Sequence, residues 1–215
     1  MHHRGLPLYR VCYSVIAVAA WFAVGLQAYI TVSSLRTLMF FLSFFTVLSN
    51  ILVALTYSTL LLLPASKAGT YFGRANVQAA ITLYIVVVGL VYNIILRQLW
   101  HPEGLQLLAD NLLHVIVPAM VLLFWILLAP KHGLTWANIG GWLIYPLMYL
   151  IYILIRGAAT AQYPYPFIDV ITLGYPAMLL NAGGILLLFL FLGCVFTGVA
   201  KLLQKTAGKL YVLFI

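Results

Sequence analysis

The sequence predicts an all-α fold, a polytopic bundle of six transmembrane helices with both chain ends in the cytoplasm. The 215 residues are 65% hydrophobic and only 7% charged, whereas a water-soluble domain carries roughly 25% charged residues. The apolar runs are about twice the ten residues of a transmembrane β-strand. Each run can cross roughly 30 Å of hydrocarbon as a helix. The composition excludes a water-soluble globular fold, a disordered chain and a disulfide-stapled secreted domain.

The first three predicted spans are separated by short polar connections. The first span lies near residues 9–31 and is longer than the apolar part of a signal peptide, which has about 7–15 residues. The second follows the polar residues 33–37 and covers residues 38–63. The third covers residues 75–98, after a connection that contains proline, glycine and basic residues.

The last three predicted spans follow the same rule, with one longer connection. The fourth covers residues 104–129 and the fifth residues 137–156. The sixth covers residues 176–200, after the long connection at residues 157–175. Because no polar linker is long enough to divide the chain, we expect a single integral membrane domain over residues 1–215.

The basic residues predict the orientation. With six spans, the two chain ends share one side with the second and fourth connections. That side holds most of the basic residues: Arg4, Arg10, Lys67, Arg74, Lys131, Lys201, Lys205 and Lys209. The other side holds only Arg36, Arg97 and Arg156. The positive-inside rule therefore places both ends in the cytoplasm, and we interpret the net charge of +8 as a topology signal rather than a nucleic-acid surface.

Polar residues inside a span are costly and therefore informative. The second span carries Ser43, Thr46 and Asn50, whose spacing places them on one helix face. Taken alone, three such residues are more typical of hydrogen bonds between helices than of chemistry.

The fourth span carries Gln106, Asp110 and His114 at steps of four residues, with Asn111 beside them. Asp110 is the only acid and His114 the only histidine within a predicted span. An Asp one turn before a His can accept a hydrogen bond from the ring and fix its tautomer. The alternative is a structural pair that satisfies itself inside the bundle.

The polar faces of the second and fourth spans are predicted to lie at similar depths in the membrane. Counted from the predicted helix starts, Thr46 lies about 12 Å and His114 about 15 Å into the membrane from the same side. A threonine hydroxyl becomes a nucleophile when a base within hydrogen-bond reach takes its proton, and histidine is the usual base. The pattern indicates Thr46 as the nucleophile and His114 as the base, with Asp110 orienting the histidine.

Further polar groups in the same half of the membrane are candidates for binding a substrate. Asn50, Asn93, Asn111 and Asn181 are candidate donors to a developing oxyanion. Tyr152 and Arg156 lie on one stripe of the fifth span; they either anchor the helix at the interface or line an amphiphile-binding cavity with Arg156 at an anionic head group. The loop at residues 163–169, YPYPFID, is either a stiff structural turn or a cap over the site.

The predicted spans lack the residues that several known membrane chemistries require. No lysine lies within a predicted span, which argues against a retinal Schiff base. A bis-histidine haem would need a second histidine inside the membrane, and His101 and His132 lie in connections. We expect no metal and no organic cofactor.

Short motifs in this order resemble a known family. They are Phe44-Phe45-Thr46 with Asn50, His114 with Pro118, and Tyr165-Pro166-Phe167-Ile168-Asp169. The set resembles the androgen-induced protein family, which includes the androgen-dependent regulator of tissue factor pathway inhibitor. The chain is most similar to its bacterial branch of small six-helix proteins. The resemblance implies an intramembrane threonine hydrolase that cleaves fatty acid esters of hydroxy fatty acids, with Thr46 and His114 in the catalytic positions. The Asp169 of the last motif is typically glutamate in animal members.

The polar residues together with the resemblance imply a lipid-ester hydrolase that works through an acyl-threonine intermediate, in the bacterial inner membrane. Its expected partners are a fatty acyl ester substrate and membrane lipids, with no nucleic acid; the oligomeric state is left open. The alternative from another class is a non-catalytic protein that binds lipid or transports small amphiphiles. A purely structural membrane protein is the third interpretation.

Overall fold

The computed structural model describes residues 7–213, and side chains as far as residue 205. No strand occurs in this part of the chain, and six of its helices are long and apolar enough to cross a membrane. They are α1 Pro7–Ser33, α2 Phe45–Leu62, α3 Ala75–Leu96, α4 Gly104–Leu127, α5 Asn138–Thr160 and α6 Val170–Leu213, apolar over Val170–Lys205. The predicted fold class is confirmed. The orientation stays a prediction, and the side chains of Arg4 and Lys209 lie outside the described residues.

The contacts within the chain group it into two compact units, Met1–Pro130 and Lys131–Ile215. The first unit contains α1 to α4 and the second contains α5 and α6. That the whole chain forms one domain stays a prediction, and each unit is described by itself.

In the first unit, four helices form a closed arrangement. α1 packs against α2 and α4, and α3 packs against the same two helices. Aromatic rings fill the end of this unit where α1 starts and α4 ends. The Tyr13 ring lies 5.9 Å from that of Tyr57 and 5.4 Å from that of Phe124, and the Tyr9 hydroxyl donates to the Leu128 carbonyl at 3.1 Å. Burial of such large rings contributes most of the packing energy of a core.

The chain does not enter α2 as one helix from residue 38. Thr37 caps a separate one-turn helix, Leu38–Phe41, by accepting a hydrogen bond from the Phe40 N–H at 3.2 Å. The Ser43 hydroxyl then bonds the Phe40 carbonyl, a side-chain contact that ends the turn. α2 starts anew at Phe45, so Thr46 is the second residue of its helix rather than lying two turns inside it.

In the second unit, α5 begins with the short turn Asn138–Trp142 and ends at Thr160; the cap residue Ala161 that follows has a left-handed φ of 53°. A 3-10 turn, Pro166–Ile168, leads into α6. α6 starts at Val170, six residues before the predicted residue 176. The early start is a single turn, because Gly174 has a φ of 71° and Pro176 follows it, so the helix is kinked at that point.

Candidate functional site

A local widening of two neighbouring helices defines the candidate site. In α3, the Arg97 N–H bonds the Tyr92 carbonyl, five residues back, and Tyr92–Leu96 is a π-helical turn. In α4, the Val117 N–H bonds the Leu112 carbonyl, and Leu112–Ile116 is a second π-helical turn. Such turns are frequent at functional sites, because they displace side chains from their regular helix positions.

Pro118 explains why carbonyl groups of α4 need partners from other helices. Proline has no N–H, so the His114 carbonyl lacks its α-helical donor. The Leu113 carbonyl lacks both regular donors, because Val117 N–H bonds Leu112 and the next residue is Pro118. Inside a membrane each backbone polar group must be satisfied by the protein itself.

Two asparagines from neighbouring helices satisfy these carbonyl groups. Asn50 on α2 donates from Nδ2 to the Leu113 carbonyl at 3.2 Å, and Asn93 on α3 donates from Nδ2 to the His114 carbonyl at 3.1 Å. Gly89 lets α3 approach closely, since a Cβ there would lie 3.1 Å from the His114 carbonyl oxygen. These bonds establish that α2 and α4 are neighbours, which the sequence alone left open.

Thr46 and His114 lie in this same layer. The Nδ2 group of Asn50 also donates to the Thr46 carbonyl at 2.9 Å, so one amide links the backbone of Thr46 to that of Leu113. Thr46 is 7% exposed and His114 is 8% exposed. Both side chains are therefore buried within the protein rather than facing lipid.

An apolar cluster lies directly beside the two residues. Its buried members include the residue that follows Thr46 and the residue that precedes His114; they are Ala23, Val24, Phe41, Val47 and Leu113. The cluster joins α1, the one-turn helix, α2 and α4. The cluster provides the apolar environment that an acyl chain near the site would require.

The His114 ring is held on two sides. Its Nδ1 lies 2.9 Å from the Asp110 carbonyl oxygen, and its face stacks on the Tyr92 ring with centroids 3.7 Å apart and planes 13° apart. A carbonyl oxygen only accepts, so Nδ1 carries the proton of this bond. In a neutral ring the lone pair then lies on Nε2, the nitrogen that can act as a base.

The Asp110 carboxylate bonds other groups than the imidazole. Oδ2 accepts from the Tyr92 hydroxyl at 2.8 Å and from Trp100 Nε1 at 2.9 Å, and Oδ1 accepts from Gln106 Nε2 at 2.9 Å. Gln106 also bonds Gln27 of α1. Asp110 therefore orients His114 through its main-chain carbonyl, not through the carboxylate that we expected; the carboxylate instead bonds Tyr92, whose ring stacks on His114.

A cavity of about 330 Å³ opens beside this network, where α3 ends and α4 begins. It contains one carboxylate, one guanidinium and several aromatic rings. Its lining consists of Tyr92, Arg97, Trp100, His101, Pro102, Leu107, Asp110 and Asn111. Thr46 and His114 do not line it; the Tyr92 ring, which stacks on His114, forms part of its wall.

The candidate oxyanion donors fall into two groups. Both N–H groups of Asn50 go to carbonyl oxygens, and so do both N–H groups of Asn93, which bonds Gly89 as well as His114. Neither amide has a donor left for an oxyanion. Asn111 lines the cavity, and its side chain makes no hydrogen bond within the described part of the chain.

The remaining predicted binding residues belong to the second unit. Asn181 donates to the Phe167 carbonyl at 3.0 Å and so fastens the 163–169 loop to α6. Arg156 donates to the Gln162 carbonyl at 2.9 Å, and Tyr152 is half-buried beside Tyr149. Contacts of this kind stabilise a helix end or anchor a loop.

Asp169 closes the loop at the start of α6. Its Oδ2 accepts from the Thr172 hydroxyl at 2.8 Å, and its Oδ1 from the Ile171 and Thr172 N–H groups. The Thr172 hydroxyl, assisted by these N–H groups, holds the pKa of Asp169 below its usual range. Asp169 is thus a helix cap, and no ion pair joins it to Arg156 among the described residues.

Sequence reasoning missed part of the network around Asp110. The sequence indicates Arg97 only as a topology signal and assigns neither Trp100 nor Gln27 to the site. A usable signal was present in Pro118, four residues after His114, because it predicts unpaired carbonyl groups that neighbouring helices must satisfy. Asn50 and Asn93 are the natural donors for such carbonyl groups.

No group of three potential metal ligands occurs among the described histidine, cysteine, aspartate and glutamate residues. Comparison with known proteins gives no assignment: no family model, curated protein or solved structure matches the chain. The resemblance to the androgen-induced family therefore stays a prediction.

Proposed function

We propose that the chain is an intramembrane hydrolase that cleaves a lipid ester, such as a fatty acid ester of a hydroxy fatty acid, in the bacterial inner membrane. The observation that carries the proposal is the fixed His114 ring. Its Nδ1 is engaged by a main-chain carbonyl and its face by Tyr92, in the buried layer that also contains Thr46. The resemblance to a family of threonine hydrolases supports the same residues.

The reaction has two balanced stages. His114 Nε2 takes the Thr46 hydroxyl proton while Oγ1 attacks the ester carbonyl carbon, and the tetrahedral intermediate then expels the alcohol, which receives that proton. A water molecule next gives a proton to His114 and attacks the acyl-threonine. Collapse of this second intermediate releases the fatty acid and returns the proton to Thr46. No metal or organic cofactor enters either stage.

Stabilisation of the oxyanion comes from donors other than Asn50 and Asn93. Preorganised donors stabilise an oxyanion, and Asn111, which lines the cavity, is the remaining candidate amide of the first unit.

The alternative is a protein that binds a lipid or small amphiphile without chemistry. One observation favours it: neither Thr46 nor His114 lines the 330 Å³ cavity. A binding protein would use that cavity, and Thr46 and His114 would contribute only to the packing of the helices.

Labelling with a fluorophosphonate probe in detergent micelles distinguishes the two. We expect labelling of the unaltered protein and of Thr46→Ser, and at least about a hundredfold loss of labelling in Thr46→Ala and His114→Ala. Thr56→Ala is the matched control, because Thr56 is buried in the same helix and its hydroxyl has no hydrogen-bond partner among the described residues. Absence of labelling in the unaltered protein, or full labelling of Thr46→Ala, would leave only the binding function.

A further inference from the structure

The cavity between the end of α3 and the start of α4 holds two opposite charges that do not pair. Arg97 and Asp110 both line it. Arg97 donates to the neutral Asn93 Oδ1 at 2.9 Å, and no ion pair joins Arg97 to Asp110 in the described structure. Two unpaired opposite charges that face one cavity match a ligand that carries both charges.

Asp110 has no cationic partner among the residues that the structure describes. It is 6% exposed, and its three hydrogen bonds come from the neutral groups of Tyr92, Trp100 and Gln106. A carboxylate has about four lone-pair positions, so one position remains for a further donor. Buried charges in membrane proteins are normally paired, which indicates a cationic donor as the missing partner.

The cavity leaves one oxygen of this carboxylate open to an ammonium group. Trp100 and Tyr92 both line the cavity and both donate to Asp110 Oδ2, so the open lone pair lies on Oδ1, which accepts only from Gln106 among the described residues. Arg97 at the same cavity offers a planar guanidinium, which suits a phosphate.

We propose that this cavity binds the zwitterionic phosphoethanolamine group, with the primary ammonium on Asp110 and the phosphate on Arg97. A primary ammonium supplies the N–H donor that the open lone pair requires, whereas a quaternary ammonium has none. The cavity lies where two apolar helices end, at the level of lipid head groups. A membrane lipid that carries this head group is therefore the expected source, and the site is independent of any hydrolysis at Thr46.

Native mass spectrometry of the full chain in detergent micelles tests the site. The probes are dihexanoyl phosphatidylethanolamine, its N,N-dimethyl derivative, phosphatidylcholine and phosphatidylglycerol. We expect one molecule of phosphatidylethanolamine to bind at least about tenfold more tightly than phosphatidylcholine or phosphatidylglycerol, with the dimethyl lipid between them. Equal binding of the four lipids would overturn the proposal.

Two variants locate the site within the protein. Asp110→Asn should abolish the preference for phosphatidylethanolamine over phosphatidylcholine, and Arg97→Gln should weaken binding of both by about tenfold. Arg97 is exposed and bonds one side chain, so this variant keeps the test decisive even if Asp110→Asn fails to fold. Unchanged binding in Arg97→Gln would overturn the proposal.

Matched controls and a competition experiment complete the test. Glu103→Gln removes the nearby acid that does not line the cavity, and Arg156→Gln removes an arginine of the second unit; neither should change binding. A larger loss in either control than in the cavity variants would contradict the site. Free phosphoethanolamine should not displace the lipid at equal concentration; displacement would support the head-group chemistry and assign the site to the soluble compound.

Discussion

The Tyr92 side chain connects the two parts of the candidate site. Its ring stacks on His114, and its hydroxyl donates to Asp110 at 2.8 Å. The Asp110 carboxylate thereby fixes the Tyr92 ring, and the Tyr92 ring in turn stacks on the ring of His114. One residue on α3 thus connects the Asp110 carboxylate at the cavity to the buried His114 ring.

Tyr92→Phe separates these two roles, because it keeps the stacked ring and removes the hydroxyl. We expect the variant to lower the free energy of unfolding by about 1 kcal/mol, since Asp110 loses one of three donors in a buried position. Equilibrium unfolding in sodium dodecyl sulfate measures the change. Tyr71→Phe is the control, because Tyr71 is exposed and its hydroxyl has no hydrogen bond in the described structure. Equal stability of both variants would show that the Asp110 bond contributes nothing.

At the scale of elements, Pro118 and the two π-helical turns determine how α2, α3 and α4 meet. The proline leaves carbonyl groups of Leu113 and His114 without helical donors, and Asn50 and Asn93 supply donors from the neighbouring helices. These bonds cross helix boundaries, so they fix the rotation of each helix as well as its position. Apolar contacts alone specify rotation weakly in a membrane.

A double-mutant cycle tests this account of the helix packing. Asn93→Ala should cost about 1 kcal/mol in the natural background, because the His114 carbonyl is left unsatisfied. In Pro118→Ala the new N–H group can bond that carbonyl within α4, so the same change should cost at least about 0.5 kcal/mol less. The free energy of unfolding of the four proteins measures the coupling.

Asn181→Ala is the control for that cycle, since Asn181 bonds the Phe167 carbonyl rather than α4. Its cost should be the same in both backgrounds. An equal cost of Asn93→Ala with and without Pro118 would contradict the role assigned to the proline.

At the scale of the whole molecule, hydropathy predicted the six long helices and the starts of α3 and α4 at residues 75 and 104, but not the starts of α2 and α6. α2 starts at Phe45 instead of residue 38, because the hydrogen bonds of the Thr37 and Ser43 side chains break the helix. Neither hydrogen bond can be predicted from the hydropathy of the sequence. The depth count for Thr46 was therefore wrong in its starting point. The convergence of α2 and α4 comes from Asn50 instead.

The sequence could predict which residue types lie together in the candidate site, but not the hydrogen bonds that they form. The spacing of Asp110 and His114 predicted their proximity correctly. It could not show that the main-chain carbonyl of Asp110 reaches the ring first, because every residue of a helix offers a carbonyl group to the residue four positions on. Trp100 bonds the carboxylate across a connection whose path the sequence does not specify.

The distribution of basic residues makes a testable prediction for the whole chain. In a protein from which Cys12 and Cys194 have been removed, we expect Glu103→Cys and Ser34→Cys to react with a membrane-impermeant maleimide in intact cells. Ser66→Cys should react only after permeabilisation, because its connection contains Lys67 and Arg74 and should lie in the cytoplasm. Gel-shift counting of labelled chains measures the accessibility. Reaction of Ser66→Cys in intact cells together with protection of Glu103→Cys would reverse the orientation and place the phosphoethanolamine cavity at the cytoplasmic leaflet.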